Sequence, residues 1–178
     1  KHYVANNQEF ERRMTNSELG GRALRAIYYP AFKAAVQEAD VGSVMNGYNL
    51  VNKEHCSQNR KLLVETLKEE WGFTGFVMSD WVSVYDTKAA IEGGLDLEMP
   101  EGDFISREKV MPLLNKGEIS EEQINDKVLR ILRTCIRMGF FDRPQMEVNL
   151  SCDDPEIRKT ALEIARQGCV LLKNDGLL

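Results

Sequence analysis

Asp80 closes a short apolar run, Phe76-Val77-Met78-Ser79, and Trp81 follows it at once. Gly75 precedes the run, after Trp71-Gly72-Phe73. An uninterrupted apolar run of this length between turn residues has the pattern of a parallel strand buried on both faces. Such a strand can offer a reactive group only at its C-terminal end, where the loops meet solvent. Asp80 stands at that end, and a carboxylate there can attack an electrophilic carbon or stabilise a cationic one. Trp81 adds a flat apolar face of the kind that packs on the C–H side of a sugar ring. The competing reading of Asp80 is a turn residue that satisfies local backbone groups.

Other polar residues fall at the ends of apolar segments: Lys1-His2, Met45 to Tyr48, Asp96 and Glu98. Lys and His donate to hydroxyls, so a carboxylate, an indole, a Lys and a His together suit a polyhydroxylated ligand. A second arrangement has Asp80, Glu98 and Asp96 holding Mg²⁺ at successive strand ends. A third makes the chain a non-catalytic sugar-binding or structural piece. For Asp96 and Glu98 the plainer role is to anchor loops through hydrogen bonds, and for His55 it is to order a loop. Arg12-Arg13, Glu69-Glu70 and Glu121-Glu122 read as solvated faces.

These groups need a scaffold, and the periodicity supplies one. Leu24, Ile27, Tyr28 and Ala31 fall on one helical face from Ser17 onward, and Pro30 starts a second short helix to Ala39. Gly42 to Asn49 reads as a strand running into a polar loop. Asn59 caps a helix with Leu63, Leu67 and Trp71 on one side, stopped by Gly72. After the strand ending at Asp80 come a helix around Asp86–Glu92 and an alternating strand, Leu95 to Pro100. A helix over Arg107–Lys116 follows. Ser120 and Gln123 form a capping box for the next, with Ile124, Val128, Ile131, Leu132 and Cys135 on one face. Residues 140–153 lose periodicity, as a linker does. Asp154-Pro155 opens another helix, Cys169 to Leu172 reads as a buried strand, and Asn174-Asp175-Gly176 as a turn. The βαβαβα alternation predicts an α/β fold with a parallel sheet and helices outside. With the stub at Lys1 it fits part of a (β/α)8 barrel or an open doubly wound sheet. The absence of Gly-x-Gly-x-x-Gly and of a phosphate loop removes support for a nucleotide-binding sheet.

The chain has 178 residues, 43% hydrophobic and 29% charged, which suits one domain with a proper core. A net charge of -5 without a basic cluster argues against a nucleic-acid partner. No apolar run is long enough to span a bilayer, so no membrane partner is expected. The chain starts at Lys1 and reads as a piece of a longer protein. Cytoplasmic and exported locations both stay open, with the cytoplasm the default. The cysteines, Cys56, Cys135, Cys152 and Cys169, form no Cys-x-x-Cys pair, and with only two histidines a zinc site is unsupported. Free, mostly buried thiols are expected.

Five blocks in order resemble glycoside hydrolase family 3, and its β-glucosidases most: Lys1-His2-Tyr3, Asn6 to Glu9, Val44 to Asn49, Gly75 to Trp81, and Gly94 to Pro100. The final stretch, Val170 to Leu178, resembles the entry to that family's second, α/β-sandwich domain. The resemblance implies hydrolysis of terminal, non-reducing β-D-glycosidic bonds with retention, through a covalent glycosyl-enzyme and without a cofactor. It makes Asp80 the nucleophile and Lys1 and His2 the pair that binds hydroxyls of the terminal sugar. Met45 and Tyr48 would line that subsite, and Trp81 would be the aromatic beside the nucleophile. It implies the C-terminal half of a (β/α)8 barrel over 1–139, a linker over 140–153, and the start of the sandwich over 154–178. The family's acid/base Glu has no counterpart here. The substrate is expected to be a β-linked oligosaccharide or aryl glycoside, and the remainder of the parent protein is needed to complete the site.

Overall fold

The computed structural model describes residues 1–146, 149, 151 and 153–176. They fall into two compact units, Lys1–Gly139 and Phe140–Leu178. In the first, two short strands set the frame: β2 (Ser43–Met45) and β5 (Phe76–Met78), parallel with Val44 opposite Val77. Tyr3 bridges to Asn46 on one side and Leu97 to Met78 on the other, both in parallel. The segments at Tyr3, β2, β5 and Leu97 therefore lie side by side in sequence order, with their C-terminal ends on one edge. Sequential neighbours joined by helical crossovers are the expected topology for such a sheet. Gly75 is required at the foot of β5, because a Cβ there would lie 2.2 Å from the Gly42 carbonyl oxygen.

A second small sheet was not foreseen. β1 (Asn16–Ser17) pairs in parallel with β3 (Leu50–Val51), which turns back into β4 (Glu54–His55). The hairpin loop is Asn52-Lys53, both at positive φ (52° and 75°). That is the twist a two-residue hairpin needs, supplied here without glycine.

The helices cover the sheet. α1 (Gly21–Ala23) runs straight into α2 (Leu24–Tyr28), which is π-wound, and then α3 (Pro30–Gln37). α4 (Lys61–Glu70) is also π-wound, and Asn59 Oδ1 accepts the Leu62 amide at 3.1 Å at its start. α5 (Thr87–Gly93) is capped by Asp86 and ends at Gly94 with φ 96°. α6 (Arg107–Asn115) and α7 (Glu121–Arg137) follow, the latter with the foreseen Ser120–Gln123 capping box. The core joins Tyr3, Val44 and Val77 of the sheet to Leu63, Leu67, Trp71 and Leu95. Tyr3 meets Phe32 edge-on at 5.0 Å and Trp71 at 5.9 Å between ring centroids.

Several expectations are corrected. The helix foreseen from Ser17 begins at Gly21, because Asn16–Ser17 pairs with β3 instead. The strand over Leu95–Pro100 contracts to the bridge at Leu97. On α7, Val128 and Leu132 are exposed, although an apolar-face argument turns them inward. The helix is rotated to bring polar donors to the base of the sheet. Lys127 Nζ donates to the Ile91 carbonyl at 2.9 Å, and Arg130 Nη1 to those of Phe73 at 2.9 Å and Gly75 at 3.1 Å. Buried carbonyls that lack a ladder partner must find a donor, and that need overrides the apolar stripe.

The second unit holds α8 (Pro155–Gly168), started by Asp154 accepting the Glu156 amide at 2.8 Å. Cys169 to Leu172 does not form the foreseen buried strand: the segment is irregular and Val170, Leu171 and Leu172 are exposed. Cys56 is buried, Cys135 half-buried and Cys169 exposed, all free thiols, while Cys152 lies outside the described residues. Among the described residues no helix is long and apolar enough to cross a membrane.

Candidate functional site

The C-terminal edge of the parallel segments gathers the residues named from sequence. β5 ends at Met78. Ser79 is held there by its amide on the Leu97 carbonyl at 2.8 Å, and its Oγ accepts the Met99 amide at 2.8 Å. This fixes the chain that carries Asp80, which is only 8% exposed. Asp80 Oδ1 accepts the Trp81 amide at 2.7 Å and the Tyr48 hydroxyl at 3.1 Å. His2 Nε2 lies 3.1 Å from Oδ2. A buried carboxylate must be matched by donors, and three parallel segments supply them.

The partners are neutral groups. Burial is the main influence on His2 and pulls its pKa below the ordinary value, against the opposing pull of Asp80. The shift favours the neutral ring, which can donate to Asp80 through Nε2–H across the 3.1 Å contact. Burial, then the bond to Asp80, raises the Tyr48 phenol above its usual range, so it too stays a donor.

Tyr48 is itself held. The Arg12 guanidinium lies over its ring at 4.0 Å from the centroid and pairs with Glu9 at 2.7 Å. The solvated role expected for Arg12 is thus corrected. The ion pair at i, i+3 with Glu9 is the one sequence signal that could have marked it. Tyr85 donates to the Tyr48 carbonyl at 3.5 Å and stacks on His55 at 3.7 Å between centroids. His55 thereby orders the loop that bears Tyr48. Ser83, missed in the sequence, donates to the Asp80 carbonyl at 3.0 Å and accepts from Asn46 Nδ2 at 3.3 Å.

The remaining sequence candidates divide. Trp81 is 59% exposed, with its indole free for a ligand, Lys1 is exposed and Met45 half-buried. Glu98 is engaged by a loop: its carboxylate accepts the amides of Phe104 at 2.9 Å and Ile105 at 2.6 Å. Asp96 is locked by Lys68 Nζ at 2.7 Å and the Val77 amide at 2.7 Å. Both carboxylates anchor the chain, and neither shares a cluster with Asp80.

A parallel α/β edge with one buried carboxylate, neutral donors around it and an exposed indole beside it has the chemistry that suits a polyhydroxylated ligand. The comparisons place it further. Residues 1–134 match the Glycosyl hydrolase family 3 N terminal domain, and the chain belongs to that family. A beta-glucosidase of Rhizobium radiobacter is 42% identical over 179 residues, covering 100% of this chain and 22% of the relative. The thermostable beta-glucosidase B of Acetivibrio thermocellus is 39% identical, over 98% of this chain and 23% of its own. Beta-glucosidase 3B from Thermotoga neapolitana, solved in complex with alpha-D-glucose, superposes with a TM-score of 0.89. That match has 37% identity and covers 100% of this chain and 26% of the other. The chain thus spans about a quarter of the length of the relatives it matches.

Proposed function

We propose that this chain carries the nucleophile side of the active site of a retaining β-glycosidase acting on terminal, non-reducing β-D-glucosides. Asp80 attacks the anomeric carbon as the bond to the leaving oxygen breaks. A carboxylic acid from sequence outside this chain protonates that oxygen, then takes a proton from water in the second step. Oδ2 is the better placed attacking atom, because Oδ1 already accepts from both Trp81 and Tyr48. Lys1 and His2 hold hydroxyls of the terminal sugar, Met45 and Tyr48 line its subsite, and Trp81 packs beside it. No cofactor is called for.

The observation that carries this reading is the setting of Asp80: buried at a strand's C-terminal end, bonded to neutral donors, beside an exposed indole. The names of the relatives, beta-glucosidases, support the substrate class. The Mg²⁺ alternative has less support, because the Asp96 and Glu98 carboxylates already have close protein donors. The same reading makes Lys1–Gly139 the second half of a (β/α)8 barrel, since its parallel segments follow in sequence order. Residues 140–153 are then a linker, and 154–178 the entry to a sandwich domain.

Proton NMR at early times of β-glucoside hydrolysis by the full-length parent tests the mechanism. The β-anomer of glucose should appear first, and initial α-anomer would refute a nucleophilic Asp80.

A further inference from the structure

Asp80 to Ser83 form a β-turn, closed by the Ser83 amide on the Asp80 carbonyl at 3.3 Å and reinforced by the Ser83 hydroxyl at 3.0 Å. Val82 is the third residue of that turn, and its φ is 56°. A positive φ at this position ordinarily calls for glycine, because a Cβ crowds the neighbouring carbonyl. A β-branched residue is the most strained occupant. Among the described residues Ala5, Glu11, Asp40, Asn52 and Lys53 also have positive φ, beside Gly72, Gly94, Gly117 and Gly139, but Val82 is the one β-branched residue in that set.

Packing does not explain the exception. Val82 is 48% exposed and stands outside the core, and its neighbour Trp81 is 59% exposed. Two consecutive apolar side chains therefore face solvent on the chain that leaves the Asp80 carboxylate. The turn is also fixed in place. The Val82 amide donates to the Met99 carbonyl at 3.0 Å, and Asn46 donates to Ser83. Strain kept at a rigid turn beside a reactive group, with apolar surface exposed, is a mark of function.

We propose that Val82 is a specificity-determining residue: with Trp81 it forms an apolar lip at the nucleophile that favours aryl and alkyl leaving groups over sugars. The proposal rests on the reading of Asp80 as a glycosidase nucleophile. An aryl ring gains contact with an isopropyl group and an indole, whereas the hydroxyls of a second sugar find no partner on the isopropyl group.

The test uses the full-length parent with Val82→Gly and Val82→Thr. The readout is kcat/KM for an aryl β-glucoside divided by kcat/KM for a β-linked glucose disaccharide. Val82→Gly relieves the turn and removes the lip. Val82→Thr keeps the β-branch and the backbone cost but makes the lip polar. The ratio should fall about tenfold in the first and about threefold in the second. The melting temperature of Val82→Gly should be no lower than the parent's. An unchanged ratio, or an equal loss on both substrates, overturns the proposal. A fall in Val82→Gly alone also overturns it, because the effect would then belong to the backbone. Labelling of each preparation with a 2-fluoro glycoside separates the two readings. An unlabelled Asp80 removes the nucleophile, while a labelled Asp80 with an unchanged ratio removes only the lip.

Discussion

Asp80 and Asp96 are both buried aspartates, 8% and 5% exposed, and they sit on neighbouring parallel segments. Their surroundings are opposite. Asp96 lies where its segment enters the sheet, with one oxygen on the Lys68 ammonium and the other on the Val77 amide. Lys68 also donates to the Gly94 carbonyl at 2.7 Å, so the ion pair ties α4 and the end of α5 to β5. Asp80 lies where β5 leaves the sheet and has neutral donors, His2 and Tyr48, and an open side toward Trp81. A carboxylate matched by a full opposite charge holds structure together and has little nucleophilic capacity left. One held by neutral donors keeps its charge available to a developing cation. Under the proposed function, the two ends of the same sheet carry stability and chemistry separately.

The sharpest contrast comes from the same substitution at both positions. Asp80→Asn in the full-length parent should lower turnover by about 10³-fold or more, because an amide cannot attack, while the unfolding midpoint stays near the parent's. Asp96→Asn should act the other way. It leaves the Lys68 charge buried without its counter-ion, at a cost of about 3–5 kcal/mol of stability. Urea unfolding measures it. A folded Asp96→Asn enzyme of undiminished stability would break the comparison.

Residues 1–178 alone should show no measurable hydrolysis of an aryl β-glucoside. A retaining mechanism needs a second carboxyl about 5–5.5 Å from the first, and Glu98 is occupied by loop amides. Activity in this chain alone that disappears on Asp80→Asn would place the acid within these residues and sink the proposed division.

Tyr48→Phe removes one donor from Asp80 and should lower kcat about tenfold with little change in stability, since Arg12 still covers the ring. Loss of stability without loss of rate would make Tyr48 a packing residue only.

A pH dependence is expected on the Asp96 side. Burial pushes the Lys127 ammonium down from 10.5 to about 8, and Asp96 only partly offsets this. Between those values the unfolded chain binds more protons than the folded one, so this group makes stability rise as pH goes from about 8 toward 10.5. Lys127→Met should remove that rise. Urea midpoints at the two ends of the window compare the variant with the parent, and parallel curves would contradict the assignment.

Much of this was legible in the sequence where one physical signal dominates. The run Phe76 to Met78 is apolar throughout, so the central strand and the place of Asp80 just past its end could be read directly. The capping box at Ser120–Gln123 and Pro155 at a helix start are local signals, and locality made them readable. The misses arise where long-range pairing wins. Asn16–Ser17 is short and polar, and only its partner Leu50–Val51 makes it a strand. The Asn52-Lys53 hairpin lacks the glycine that marks such turns. Val128 and Leu132 follow the apolar period of α7, but the carbonyls at Phe73 and Gly75 need Arg130 and set the rotation. At the site, Asp80, His2 and Tyr48 were named in advance, through family likeness in the case of His2 and Tyr48. Arg12 and Ser83 were not: the i, i+3 spacing to Glu9 marks Arg12 as paired but not as lying over a ring, and a hydroxyl on a turn leaves no spacing in the sequence.

The division of labour between the two aspartates is tested most directly by trapping. The full-length parent is inactivated with a 2-fluoro β-glucoside, digested, and its labelled peptide sequenced by mass spectrometry. The glycosyl group should be found on Asp80. A label on Asp96 or Glu98 would contradict the account, because it would put the nucleophile among the carboxylates assigned here to holding the fold.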